Sequence, residues 1–481
     1  AAPWVGRLPL APAVYHKLKG MLQRERITAI PEILRRDYGI TAPVRFFDHH
    51  YTHAAAAYFT SGFDEALVVT LDGGGDGLSG TVYTGRNGKL RRLAKVDSFN
   101  SLGNIYSYVT ALCGFRAEKD EGKITGLAAI GRPVYADIIR RFIRSDGNGG
   151  MRYPIPMYHV SAVRRMGEAL PADYDRADLA ASVQLVLEEV GVEFVRYWVR
   201  KTGLRNLAVA GGVFANVKFN QRVHEIEGVE LISIHPAMDD GGLSVGAAMA
   251  YVSEQSPQAA VLSHRLPNVY LGPDFDDGEI RRSILEAGFT PCRPENIHRA
   301  VAEKLAQGDV VARFWGRMEY GPRALGARSI LYQTGDPSVN NWLNERLKRT
   351  EFMPFAPATL MSHAVRCYRG MAGAKDSARF MTITFDCTEE MAEQSPGVVH
   401  VDGTARPQLV DEETAPDFHA ILTEYHALTG VPSVINTSFN MHEEPIVCTP
   451  SDALRAFQLG RLEWLAIGPY LIRGREGNED G

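Results

Sequence analysis

Two histidines four residues apart, His49 and His53, sit in the stretch Phe46-Phe-Asp-His-His-Tyr-Thr-His, and an aspartate, Asp72, follows the apolar run Ala66-Leu-Val-Val-Thr-Leu. On a helix that spacing places both imidazoles on one face, about one turn apart, and the run Ala54 to Ala57 favours a helix. The β-branched run reads as a buried strand that delivers Asp72 at its carboxyl end. Two imidazoles and a carboxylate, with water or substrate completing the shell, suit iron, manganese or zinc. A histidine pair on a helix is also commonly structural or merely exposed, so its meaning depends on what else converges there.

Three glycine-rich turns supply context. The segment from Gly75 to Gly80 matches G-x-G-x-x-G, but that fingerprint must open a helix; here Thr81-Val-Tyr-Thr and Arg86-Asn-Gly predict a strand and a hairpin turn. Asn206-Leu-Ala-Val-Ala predicts a strand, and Gly211-Gly-Val-Phe-Ala-Asn turns into the next helix, offering free amides to a phosphate or ribose. A third strand, Val229 to Ile234, leads through His235-Pro-Ala-Met-Asp-Asp-Gly-Gly into a helix over Leu243 to Glu254 and makes Asp240 a candidate fourth metal ligand. The order of these turns is the layout of an actin-like ATPase lobe. Between them, Glu118 to Ala128 reads as a polar loop in which Glu121 and Lys123 are solvated or Lys123 meets a phosphate. Residues 145–175 read as an irregular insert. Asp178 to Lys201 is a long helix whose stripe of Val183, Val186, Leu187, Val190, Phe194 and Trp198 belongs to the core.

The second half changes character after a proline-bearing linker over 257–275. Helices over Asp277 to Ala287 and Ile297 to Gln307 and a strand over Asp309 to Trp315 lead into Gly316-Arg-Met-Glu-Tyr-Gly-Pro-Arg-Ala-Leu-Gly-Ala-Arg-Ser. Arg317, Arg323 and Arg328 could grip phosphate or carboxylate through their planar forks; exposed ion pairs would explain them equally well. Lys348-Arg-Thr-Glu-Phe-Met-Pro-Phe-Ala-Pro adds cations, His400-Val-Asp-Gly-Thr-Ala-Arg-Pro-Gln adds Arg406, and Val434-Ile-Asn-Thr-Ser-Phe-Asn ends a strand in Asn436, Thr437 and Ser438. Asn436-Thr-Ser is formally a glycosylation sequon, but no export signal accompanies it, and it reads as a polar turn.

Bulk properties narrow the classes. A chain of 481 residues implies two or more domains, and 45% hydrophobic with 23% charged residues is ordinary for a globular protein. A net charge of −5 argues against a general nucleic-acid or membrane-surface binder. Five scattered cysteines without a C-x-x-C fit core thiols in a reducing cytoplasm. No apolar run reaches membrane-spanning length.

Taken in order, His49-His-Tyr-Thr-His, Asp72-Gly, Glu121-Gly-Lys, Gly211-Gly-Val-Phe-Ala-Asn, Gly321-Pro-Arg-Ala-Leu-Gly-Ala-Arg-Ser, Arg349-Thr-Glu-Phe-Met-Pro-Phe-Ala-Pro, the His400 loop and Asn436-Thr-Ser-Phe-Asn resemble O-carbamoyltransferases of the nodulation protein U and cephalosporin carbamoyltransferase type, from about residue 45 to the end. The resemblance implies an α/β chain with an actin-like domain over 1–256, similar to the transferase that threonylcarbamoylates tRNA, and a YrdC-like α/β domain over 276–481. It implies ATP with Mg²⁺, carbamoyl phosphate, a hydroxyl-bearing small-molecule acceptor and a divalent metal, with iron as the expectation. The second domain would form carbamoyl adenylate and the first would pass the carbamoyl group on. Carried onto this chain, the metal ligands are His49, His53, Asp72 and Asp240. Gly73, Lys123, Gly211, Gly212 and Asn216 would serve the nucleotide of the first domain. Arg317, Arg323, Arg328, Lys348, Arg349, Arg406, Asn436, Thr437 and Ser438 would hold carbamoyl phosphate and ATP, with His53 and Arg323 in catalytic roles. His50 is a further candidate for proton transfer; packing against the strand is its alternative. The family's opening strands have no counterpart before His49, so a shortened first domain with an intact adenylating half is expected. The rival reading is an actin-like kinase or a non-catalytic nucleotide-binding relative, but a kinase would leave the second-half arginines without a role. A hydrogenase-maturation carbamoyltransferase would carry cysteine-rich zinc modules and the opposite domain order.

Overall fold

A computed structural model of the chain describes residues 27–154, 158–255, 263–347 and 355–474. The chain divides into two compact units, Ala1–Arg265 and Leu266–Gly481. Among the described residues no helix is long and apolar enough to cross a membrane.

The first unit is organised by a five-stranded sheet of β1 (Glu65–Gly75), β2 (Leu78–Arg86), β3 (Lys89–Asp97), β4 (Asn206–Ala210) and β5 (Leu231–Ile234), in the order β3-β2-β1-β4-β5. β1, β4 and β5 run parallel, and the β1–β2–β3 meander is antiparallel. The hairpin expected at Asn87-Gly88 is present, with φ of 50° and 69° at these two residues, the paired left-handed conformations of a type I′ turn. Both faces of β1 are buried, as its continuous apolar run requires. Ala66 and Val68 pack with the helix α1 (His49–Phe59), whose Ala54, Ala55 and Ala57 let it lie close to the sheet.

Further helices of this unit are α2 (Leu102–Leu112), α3 (Glu121–Ala128), α4 (Val160–Ala169), α5 (Arg176–Thr202), α6 (Val217–His224) and α7 (Leu243–Gln255), with a short helix over Ala136–Arg140 between α3 and α4. α5 starts at Asp175, whose side chain accepts from Ala177 N and Asp178 N, and stops at Gly203 in the left-handed conformation. Two expectations are corrected. The polar loop over Glu118 to Ala128 is helical from Glu121, because buried Ile124, Gly126 and Leu127 pack on α5 and outweigh the poor helix propensity of two glycines. The irregular insert contains α4, preceded by a two-residue ladder pairing Arg144–Ser145 with Met151–Arg152.

The second unit carries a seven-stranded sheet of β6 (Val311–Phe314), β7 (Arg328–Gln333), β8 (Ala356–Leu360), β9 (Gln408–Val410), β10 (Ser433–Ser438), β11 (Trp464–Ile467) and β12 (Tyr470–Arg473), in the order β9-β8-β10-β7-β6-β11-β12. Its principal core packs the helices over Ile297–Ala306 and Pro416–Thr429 against Val311, Leu331, Ala358 and Val434. Of the stretch read as a linker, residues 266–275 belong to this unit. Val269 is buried in a second cluster with Leu325 and Ala356, and Tyr270 forms an antiparallel bridge with Glu319.

Candidate functional site

α1 presents His49 and His53 one turn apart, and the sheet supplies the carboxylates. The β1–β2 ladder runs regularly to Leu71↔Gly80 and resumes at Gly75↔Leu78, so Asp72, Gly73 and Gly74 bulge from the pairing. A bulge of this kind re-aims a side chain. Asp72 Oδ2 lies 2.9 Å from His49 Nε2 and 3.5 Å from His53 Nε2. Asp240, in the turn after β5, places Oδ1 3.6 Å from His49 Nε2 and 3.4 Å from His53 Nε2. One ligand atom from each of the four residues lies within 4.8 Å of the others.

This donor set fits a divalent cation. His53 is 0% exposed, yet neither of its ring nitrogens has a hydrogen-bond partner. A buried imidazole left so is costly in a closed core and suits a ligand nitrogen facing two carboxylates. Burial pushes the His53 imidazolium down, but the facing Asp240 and Asp72 carboxylates hold its pKa above the ordinary value. Burial pushes the Asp72 carboxyl up, but His49, His53 and the Gly73 amide hold it well below the usual carboxylate range. Asp72 stays ionised and its two oxygens have separate duties: Oδ1 accepts from Gly73 N at 2.7 Å and Gly212 N at 3.2 Å, leaving Oδ2 to the histidines.

The same contacts engage the glycine turns. The amides of Gly73 and Gly212 are occupied by Asp72, and Gly211 N donates to Met238 O at 2.6 Å. Gly211, at φ 104°, has Leu71 O 2.1 Å from where a Cβ would stand, so its role in this fold is close backbone approach. Asn216 caps α6 through Phe219 N and donates to Gln184 Oε1 at 2.7 Å. Gln184 and the buried Tyr106, whose hydroxyl bonds Thr125 and Gln184, were not singled out by the sequence, which gives no local signal for a contact across four helices. Lys123 pairs with Asp120 at 3.2 Å, and Glu121 Oε1 accepts from Ser107 Oγ. His50 is fully buried, and its Nδ1 lies 2.8 Å from Thr70 Oγ1, which meets Thr81 Oγ1 at 2.6 Å, while its ring centroid is 5.2 Å from that of His49 and 6.1 Å from that of His53. Burial, and then the neighbouring His49, lower its pKa to about 4. These contacts with Thr70 are those of the packing alternative.

In the second unit the arginine-rich loop is scaffolded from within. Glu319 Oε1 accepts three backbone N–H groups, from Leu325 at 2.8 Å, Ala327 at 2.7 Å and Arg328 at 3.1 Å. Leu325 O accepts from Tyr270 Oη and Gln408 Nε2, both at 2.8 Å, Ala324 O accepts from Asn436 Nδ2 at 3.2 Å, and Gly326 O accepts from Arg313. Glu319, Gln408 and Arg313 were missed; a lone carboxylate among three arginines reads as an ion pair, not as an anchor for amides. Arg313 is buried between Trp315 and Phe418, and burial lowers its pKa to about 10.

Arg328 is 0% exposed and donates to the carbonyl oxygens of Trp315, Ala327, Gly316 and Pro273, its face 3.7 Å from the Phe314 ring centroid. Its contacts make it a brace for the loop. Asn436 likewise braces the loop. Arg317 is exposed and donates to Gly272 O, Arg323 and Arg406 are half-buried, and Thr437 and Ser438 are half-buried at the end of β10. Lys348 and Arg349 lie outside the described residues.

Comparison with known proteins agrees with these two halves. The profile "Carbamoyltransferase N-terminus" matches residues 24–249 and "Carbamoyltransferase C-terminus" matches residues 302–474. Nodulation protein NolO of Bradyrhizobium diazoefficiens is 33% identical over 436 residues, covering 89% of this chain and 79% of its own length. The uncharacterized protein sll1178 of Synechocystis is 32% identical over 473 residues, covering 89% and 76%, and nodulation protein NolNO of Sinorhizobium fredii is 32% identical, covering 91% and 65%. The crystal structure of T. kodakarensis HypF aligns over 49% of this chain and 40% of its own, with 15% identity and a TM-score of 0.30, a likeness too partial to carry an argument. The chain belongs to the carbamoyltransferase family, and it is a carbamoyltransferase enzyme.

Proposed function

We propose that the chain is an ATP-dependent O-carbamoyltransferase. Its second unit would form carbamoyl adenylate from carbamoyl phosphate, ATP and water, releasing inorganic phosphate and pyrophosphate, and its first would transfer the carbamoyl group to a hydroxyl of a sugar or natural-product acceptor. The observation that carries this reading is the pairing, in one chain, of matched N- and C-terminal carbamoyltransferase segments with a His₂Asp₂ cluster in the first. The sheet order β3-β2-β1-β4-β5, with the middle strand of the meander antiparallel and glycine turns at the strand ends, supports reading the first unit as one actin-like lobe. The second unit is read as YrdC-like.

The residues divide the work. His49, His53, Asp72 and Asp240 would hold a divalent ion, with iron the family expectation; when bound, such an ion supplies Lewis acidity to a carbamoyl oxygen. Asp72 stays charged and His53 stays buried, while Asp240 presents its carboxyl on the cluster's solvent-facing side. Arg323, on the scaffolded loop, together with Arg317, Arg406, Thr437 and Ser438, would neutralise phosphate oxygens as the mixed anhydride forms. In transfer, the acceptor hydroxyl oxygen attacks the carbamoyl carbon and AMP leaves.

The test needs no acceptor. The purified chain mixed with ATP, Mg²⁺ and carbamoyl phosphate should release pyrophosphate only when carbamoyl phosphate is present, with ADP assayed in parallel. ADP without pyrophosphate would favour an actin-like kinase, and neither product would refute the adenylating step.

A further inference from the structure

We propose that Asp76 is a positioning residue for His49, a role that rests on the metal reading of the His49–His53–Asp72–Asp240 cluster. Asp76 Oδ2 accepts the backbone N–H of His49 at 2.9 Å, tying the tip of the β1–β2 hairpin to the first turn of α1. This bond is not needed to start the helix. Asp48 already caps α1, its side chain accepting from Tyr51 N at 2.9 Å.

Two neighbours show what the second carboxylate does. Asp72 Oδ2 takes the far end of the same imidazole, at Nε2. Gly75 lies flat against the ring: a Cβ there would stand 2.2 Å from His49 Cγ and 2.4 Å from Cδ2. One short segment, Asp72 to Asp76, thus holds His49 at its main chain, its ring face and its distal nitrogen. Asp76 is itself exposed and held at φ 50°, a left-handed conformation that aspartate tolerates and that the hairpin tip imposes. Groups that orient a ligand histidine govern metal affinity by factors of roughly 10 to 100 when removed. Asp76 does so through the backbone, fixing the helical turn from which the ring projects.

The test is a Co²⁺ titration of the full-length chain, stripped of metal, followed by calorimetry and by the visible absorption of bound Co²⁺, with the melting temperature of each variant measured in EDTA. Wild type should bind one Co²⁺. Asp76→Ala should weaken binding by about tenfold or more while its metal-free melting temperature stays close to wild type. Asp76→Asn, which keeps an oxygen acceptor for the His49 N–H, should recover most of that loss. Equal Co²⁺ affinity in Asp76→Ala and wild type would overturn the proposal, as would an Asp76→Asn variant as weak as Asp76→Ala, since charge or direct ligation would then be the cause. Wild type that binds no Co²⁺ would refute the metal reading itself, a result distinct from the other two.

Discussion

Each unit places one carboxylate against backbone amides, and the two do so to different ends. In the first, Asp72 gives one oxygen to Gly73 N and Gly212 N and turns the other toward two histidines, one of them buried with neither nitrogen hydrogen-bonded. In the second, Glu319 gathers three loop amides onto a single oxygen, and buried side chains take the carbonyls of Ala324, Leu325 and Gly326. The first arrangement leaves donor atoms directed at a common point. The second ties three amides and three carbonyls of its loop into the fold, unlike a loop that cradles phosphate with free amides.

Four substitutions would break or sharpen this contrast. The largest effect is expected of His53→Ala, which should abolish stoichiometric metal binding and carbamoyl transfer while leaving carbamoyl-phosphate-dependent pyrophosphate release intact; retained metal content, measured by elemental analysis, would undo the first half of the comparison. Arg323→Ala should lower pyrophosphate release by roughly 100-fold or more with the fold unchanged by circular dichroism; a loss of a few fold would mean that loop amides or other cations carry the phosphate. Glu319→Ala strands three buried N–H groups and should destabilise the second unit by about 3 kcal/mol, read as a lower melting temperature. Glu319→Gln, which keeps an acceptor oxygen, should cost less.

The smallest effect concerns pH. His235 is 1% exposed, its Nδ1 lies 2.9 Å from Thr60 Oγ1, and burial, followed by the nearby His53, lowers its pKa to about 3. The unfolded chain binds this proton near pH 6.5 and the folded chain does not, so stability is fully present above that pH and is lost as pH falls. At pH 5 the loss is about 2 kcal/mol. In EDTA, His235→Gln should show a flatter decline in melting temperature between pH 7 and 5; an unchanged slope would assign the acid sensitivity elsewhere.

Much of this was legible in the chain. Periodicity and glycine punctuation placed α1, β1, the Asn87-Gly88 hairpin, α5 and both strand-to-helix turns, and the i, i+4 spacing with Asp72 and Asp240 named the four residues that the fold gathers. What was not legible is non-local. Nothing near Gly212 says that its amide is taken by Asp72, and nothing near Arg328 says that its guanidinium is braced by carbonyls from three separate segments, because arginine is ordinarily a surface residue. Glu121 to Ala128 was missed as a helix because its stabilisation comes from packing on α5 and not from its own residues.

Asp240 enters the metal cluster from the turn that follows β5, the last strand of its sheet to be laid down along the chain. The histidine pair is set by one helix, but Asp240 reaches it only with β4 and β5 joined to β1. A cation held by all four groups would therefore favour the state in which these strands are assembled. A metal bound there should raise the thermal stability of this unit by about 1.4 kcal/mol for each tenfold rise in free ion above the dissociation constant, and would then act as a lock on folding.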